Sequence, residues 1–149
     1  MISAPTYEIH FPSRSAVLTA DLSIPDAARG IVIFAHGSGS NRFSPRNKPV
    51  AEHLNEAGFA TVLADLLTEE EDLHTERRFD IELLTQRLGF ATDWVRNNPT
   101  TCDLPIAYFG ASTGAAAALR CAAIRDDVAA VVSRGGRPDL AGTALRDVH

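Results

Sequence analysis

Short apolar runs, broken by turn residues, set the plan of this chain. Tyr7 to Phe11 and Ser15 to Ile24 predict two antiparallel strands joined by Pro12-Ser13-Arg14, with alternation at Ala16, Leu18, Ala20 and Leu22. Pro25 to Gly30 reads as a turn. Gly30-Ile31-Val32-Ile33-Phe34-Ala35 is apolar without a break, the pattern of a strand covered on both faces. A helix follows from Ser44-Pro45 to about Ala57, stopped by Gly58. Phe59 to Ala64 is a further strand, ending at Asp65, and the acidic segment Thr68 to Asp72 reads as an exposed loop or frayed turn. From Asp80 to Asn97, Ile81, Leu84, Leu88, Ala91 and Val95 recur at steps of three and four, which makes an amphipathic helix that Asn98-Pro99 stops. Pro105 to Phe109 is a strand, Ala115 to Ala123 an alanine-rich helix, and Val128 to Ser133 the last strand, followed by Arg134-Gly135-Gly136-Arg137-Pro138.

From residue 30 onward strands alternate with helices. That order implies right-handed βαβ units and an α/β fold, a doubly wound and mostly parallel sheet with helices on both faces. No repeat, low-complexity tract or linker divides the sequence, so residues 1–149 read as one domain. A chain of this length buries about 68–70% of its unfolded surface, enough for a sizeable core. The net charge of -5 and the lack of a basic block argue against nucleic acid as the main ligand and against an anionic membrane surface. No apolar run approaches the ~20 residues that span a bilayer. Met1-Ile2-Ser3-Ala4-Pro5 has neither the basic region nor the apolar core of a signal peptide. Cys102 and Cys121 lie in no Cys-x-x-Cys pair and near no histidine at zinc-ligand spacing, so both read as free thiols in a reducing cytoplasm, with no metal. The glycines at 37 and 39 do not make a dinucleotide fingerprint, and no cofactor is implied.

Two motifs carry the candidate chemistry. Gly110-Ala111-Ser112-Thr113-Gly114 stands between an apolar strand and a helix, the context of a nucleophile elbow, in which a sharp turn projects the serine hydroxyl into a cleft. The alternative is an ordinary strand-to-helix turn whose serine caps the helix. His36-Gly37-Ser38-Gly39-Ser40 follows the buried strand directly, and its glycines allow the loop to turn backbone N–H groups toward a bound group. The alternative is a glycine-rich exit from a strand.

With the leading hairpin, Phe34 to Ser40, Asp65-Leu66-Leu67, Phe109 to Gly114 and Ser133 to Pro138 in this order, the chain resembles the α/β-hydrolase superfamily, and within it the small dienelactone-hydrolase-like group. The resemblance covers nearly the whole chain and implies sheet order 1-2-4-3-5-6 for the strands present. It implies Ser112 as nucleophile and the backbone N–H groups of Ser38 and Thr113 as the oxyanion hole. Dienelactone hydrolases themselves place cysteine where this chain has Ser112. The family pattern also continues through two more strands, about 50–60 residues, with an acid after the seventh and a histidine after the eighth. This sequence therefore reads as truncated after strand six, without the segment that carries the acid and the histidine.

A serine needs a base to take its proton as it attacks. His149 follows the last strand on the correct side of Ser112 in sequence, and Asp139 stands where a minority of the superfamily carries its acid, or else is a surface aspartate at a helix cap. His36 belongs to the glycine loop, as its support or facing substrate. His53 lies on a helix, His74 in the acidic segment and His10 on an outer hairpin. Arg134 and Arg137 flank two glycines, either to bind a substrate carboxylate or phosphate or as part of a solvated loop, and Asp65 lines the cleft or supports loops. The expected function is hydrolysis of a small ester, lactone or thioester through an acyl-enzyme on Ser112, incomplete or weak in this chain alone. The alternative is an inactive fold serving as a binding or assembly module. In either case, truncation after strand six would leave residues 128–133 as a sheet edge that pairs two copies, as a homodimer or swapped oligomer, and in the alternative this edge and the Arg134 to Arg137 loop are the contact surface.

Overall fold

A computed structural model describes residues 4–149; the first three residues, on which part of the leader expectation rests, lie outside the described region. Six strands form one sheet in the order β1-β2-β4-β3-β5-β6: β1 is Thr6–Pro12, β2 Val17–Ser23, β3 Ile31–Ala35, β4 Ala60–Ala64, β5 Ile106–Ala111 and β6 Val128–Arg134. β1 pairs β2 and β2 pairs β4 antiparallel, and the other pairs are parallel. The α/β class and the strand order agree with the sequence reading.

The unbroken apolar run of β3 has a direct cause. Ile31, Ile33 and Ala35 face one core and Val32 and Phe34 the other. The larger core lies under α4 (Ile81–Asn97) and α5 (Thr113–Ile124), where Leu84, Leu88, Ala91 and Val95 meet Phe11, Leu18 and Tyr108. Inside it the Tyr108 hydroxyl is shared between Thr92 Oγ1 at 2.7 Å and Cys121 Sγ at 3.2 Å, so the polar tips buried there have partners. The smaller core lies under α1 (Asn47–Glu56) and joins Ala51 to Val32, Phe34 and Leu63.

Two local differences from the sequence reading have physical causes. Thr68–Asp72 is ordered: α2 (Glu69–Asp72) starts at a capping box, with Glu71 N–H donating to Thr68 Oγ1 at 3.2 Å and Thr68 N–H to Glu71 Oε1 at 3.0 Å. A second short helix, α3 (Thr75–Arg78), follows it. The helix expected from Ser44 begins instead at Asn47, because Ser44-Pro45-Arg46 forms a preceding turn in which Ser44 Oγ accepts from Asn47 N–H at 3.2 Å. After β6 the chain runs through a 3-10 segment, Pro138–Asp147, packed on α5.

The parallel strands β3, β5 and β6 end on one side of the sheet. Their C-terminal ends therefore bring residues 36–40, 111–114 and 134–137 to one edge of the sheet, outside the carboxyl ends of the strands, where ligands of open α/β sheets bind.

Candidate active site

Ser112 joins β5 to α5 with φ 54 and ψ −124, a left-handed conformation that a serine adopts only when its surroundings impose it. The imposing groups are close. A Cβ on Gly110 would stand 2.5 Å from Ala115 Cα, and one on Gly114 would overlap the carbonyl oxygens of Ala35 and His36. Strand, turn and helix can approach this far only with hydrogen at both positions. Ser112 is half-buried, and its hydroxyl makes no capping bond to α5. Its carbonyl is held by Ala115 N–H at 3.0 Å and Arg137 N–H at 3.2 Å. The conformation is that of an elbow, not of a capped helix turn.

The glycine loop lies against this elbow. A Cβ on Gly37 would meet Ser112 Cβ at 2.9 Å and Ala111 O at 3.1 Å. The loop closes as a turn, Ser40 N–H to Gly37 O at 3.1 Å, with Gly39 at φ 75. Among the described hydrogen bonds neither Ser38 N–H nor Thr113 N–H has a protein partner. The latter opens α5, where backbone N–H groups and the helix dipole favour negative charge. Thr113 Oγ1 is buried without a partner.

His36 is 5% exposed and both its nitrogens are occupied. Leu66 N–H donates to Nε2 at 3.0 Å, and Nδ1 lies 3.0 Å from Gly37 O. An N–H can only donate and a carbonyl only accept, so the ring is neutral, with its proton on Nδ1. Burial pushes its pKa below the ordinary histidine value, in the same direction. No ring nitrogen is left for a substrate; His36 supports the loop.

Arg134 stacks over Phe109 at 5.2 Å and donates to Arg46 O at 3.1 Å and Asn47 Oδ1 at 2.6 Å. Together with Pro45, Arg46, Pro49, Ala111, Ser112 and Gly135 it lines an open cleft of about 510 Å³. Arg46 is the charged lining residue that the sequence reading missed; it stands 66 positions before Ser112, and only the fold brings the two to one cleft. Arg137 reaches Ser112 through its backbone, while its exposed guanidinium pairs with Asp139 at 3.0 Å. Asp139 therefore faces an arginine, which holds its carboxyl below the ordinary range, and no histidine. His149 is exposed and makes no hydrogen bond among those described; His53, His74 and His10 are exposed too. Asp65 accepts from Arg42 N–H at 2.8 Å and from the Arg42 guanidinium at 2.6 Å, which fixes the chain just after the loop. Among the described residues no group of three or more His, Cys, Asp or Glu side chains is placed to hold a metal ion.

An ion pair between a buried arginine and a half-buried glutamate also escaped the sequence reading. Arg87 of α4 is 2% exposed and pairs in bidentate fashion with Glu71, both contacts at 2.9 Å. The arginine holds the Glu71 carboxyl down to about 2. The signals were present: Thr68-x-x-Glu71 is a capping-box pattern, and Arg87 falls beside Leu84 and Leu88 on the apolar stripe.

No family model matches the chain. A solved dienelactone hydrolase from Anabaena variabilis is 55% identical with a TM-score of 0.94, over 99% of this chain and 70% of that one. Est1E from Butyrivibrio proteoclasticus is 22% identical with a TM-score of 0.70, over 83% of this chain and 49% of that one, and shows the fold alone. A curated Mycobacterium tuberculosis protein from two strains, provisionally named a phosphoribosyl transferase, is 55% identical over 142 residues, 95% of this chain. The chain spans 32% of the length of these curated relatives.

Proposed function

The chain belongs to the dienelactone-hydrolase-like group of the α/β-hydrolases, and from this we propose that its site is built for serine hydrolysis of a small ester, lactone or thioester. The observation that carries the reading is Ser112 at φ 54 with the Gly37 backbone against it and two unpaired backbone N–H groups, of Ser38 and Thr113, on the flanking segments. In this reading Ser112 Oγ attacks the carbonyl carbon and loses its proton to a base. The carbonyl oxygen takes the negative charge and accepts from Ser38 and Thr113 N–H. Collapse of the tetrahedral adduct expels the alkoxide or thiolate, which takes up a proton, and leaves the acyl group on Ser112. Water then releases the acid. One oxyanion-hole donor is worth about 2.7–4 kcal/mol in a comparable site.

The base is the part that this arrangement lacks. Among the described residues no histidine or carboxylate hydrogen-bonds to Ser112, and we assign the role to a histidine brought to it from outside those contacts, by His149 or by another segment or chain. The chain alone is then a weak catalyst. Arg46 and Arg134 at the cleft favour an ester that carries a carboxylate. The elbow and its flanking N–H groups suit an acyl oxyanion rather than the phosphoribosyl transfer in the name of the longer curated relatives.

The test is p-nitrophenyl acetate hydrolysis by this chain beside Ser112→Ala. Turnover above that of the variant is expected; equal rates at background contradict the reading.

A second reading rests on β6, which among the described residues pairs with β5 alone and leaves Val132 51% exposed. An open edge of this kind invites another strand. In that reading the single domain of residues 1–149 is a cytoplasmic assembly module that pairs two copies through β6. Light scattering after size-exclusion chromatography tests it, and a stable monomer at high micromolar concentration contradicts it.

A further inference from the structure

A continuous line of hydrogen bonds runs from the Arg87–Glu71 pair to the glycine loop that lies against Ser112. Arg87 Nη1 donates to Glu71 Oε1 at 2.9 Å and to Leu66 O at 3.2 Å. Arg87 Nη2 donates to Glu71 Oε2 at 2.9 Å and to Ser15 Oγ at 3.4 Å. Glu71 Oε1 also accepts from Thr68 N–H at 3.0 Å. Leu66 is thus held by its carbonyl from α4, and its N–H donates to His36 Nε2 at 3.0 Å. His36 in turn donates from Nδ1 to Gly37 O at 3.0 Å, where Ser40 N–H also arrives at 3.1 Å.

The last step matters for chemistry. Gly37 C=O and Ser38 N–H belong to one planar peptide unit and point in opposite directions. Two donors that fix the carbonyl therefore also fix the direction of the Ser38 N–H, which is the oxyanion donor in the function proposed above.

We propose that Arg87, with Glu71, is a positioning residue for the oxyanion hole, acting through Leu66 and His36 on the Gly37–Ser38 peptide. The catalytic consequence rests on the hydrolase reading; the geometric coupling does not. Arg87 anchors the Leu66 carbonyl, one peptide unit beyond the Leu66 N–H; that N–H keeps His36 Nε2 unprotonated, and the proton this leaves on Nδ1 anchors the loop. The buried guanidinium is itself held by the bidentate carboxylate, so Glu71 belongs to the same device.

The test reads the His36 tautomer directly. In a ¹⁵N-labelled chain, ring correlations assigned with His36→Gln should show a single form with a protonated Nδ1 and a bare Nε2. Removing one member of a buried pair leaves a lone charge and can unfold the protein, whereas replacing both with apolar residues is often tolerated. The informative variant is therefore the Arg87→Met, Glu71→Met double change, with Arg87→Lys as the conservative partner that keeps the charge. With folding verified by a cooperative melt, the double variant should show a mixture of His36 tautomers. Amide exchange at Leu66, Ser38 and Ser40 should quicken by about tenfold or more. Arg87→Lys should lie between the double variant and the parent chain. Where Ser112-dependent hydrolysis is measurable, kcat should fall with KM unchanged. A folded double variant with an unchanged tautomer and unchanged exchange overturns the proposal. Absence of hydrolysis in the parent chain contradicts the functional reading instead, and leaves the tautomer result to decide this one.

Discussion

Ser112 sits in a conformation that its neighbours enforce, and the neighbours are glycines for a steric reason. Gly114→Ala would drive a methyl group into the carbonyl oxygens of Ala35 and His36, at the junction of β3, the loop and α5. We expect a loss of at least about 1–3 kcal/mol, seen as a lower urea midpoint, because backbone cannot yield as a side-chain tip can. An unchanged midpoint would mean that the elbow is looser than described. At this scale the sequence was informative where chemistry is local. Gly110, Ser112 and Gly114 announce a tight strand-to-helix turn, and Gly37 and Gly39 a loop that can lie flat against it. Contacts between distant segments were not legible. Nothing in the sequence shows that both nitrogens of His36 are taken, by Leu66 and Gly37, or that Asp139 is turned to Arg137.

Among the elements, α4 was plain from its three-and-four spacing, whereas α2 was hidden by its composition. Four acidic residues in a row read as solvated chain, but the Thr68–Glu71 box and the buried Arg87 order them. Thr68→Ala should cost about 0.5–2 kcal/mol in the same denaturation experiment, through loss of the cap on Glu71 N–H. α4 also carries a position that can be improved. A Cβ on Gly89 would meet only Cys121 Sγ, at 4.0 Å, which is ordinary contact. Gly89→Ala should therefore raise stability by about 0.8–1 kcal/mol, the difference in helix propensity. A lower midpoint would show that α4 and α5 pack more tightly there than the 4.0 Å spacing states.

For the whole molecule, the alternation of strands and helices from residue 30 and the order of the motifs were enough to give the sheet. A complete triad cannot be read the same way, because a base is defined by its approach to Ser112 and not by its place in sequence. The charge network gives the molecule a pH response with a definite sign. Arg87 holds Glu71 down to about 2, and Arg125 and Arg96, whose guanidiniums lie 2.8 and 3.1 Å from the Asp127 carboxylate, hold Asp127 down to about 2, below the usual values of 4.5 and 3.8. A carboxylate with a depressed folded pKa contributes stability above its unfolded pKa and loses it as pH falls toward the folded one. Burial lowers the pKa of His36 from 6.5, and a histidine that must stay neutral also weakens the fold as the medium becomes acidic. The thermal midpoint should therefore fall modestly below about pH 6.5 and steeply between about pH 4.5 and 2. A midpoint flat down to pH 3 would show that these groups titrate alike in the folded and unfolded chain.

The central claim is that Ser112 is a nucleophile facing an oxyanion hole, and the acyl-enzyme is its most direct test. The chain should be incubated with p-nitrophenyl acetate, quenched in acid and digested, and the peptide containing Ser112 weighed. We expect that peptide to gain one acetyl group, on Ser112, with no such gain in the same peptide of Ser112→Ala. An unmodified Ser112 peptide, or equal acetylation of the variant, would contradict the account.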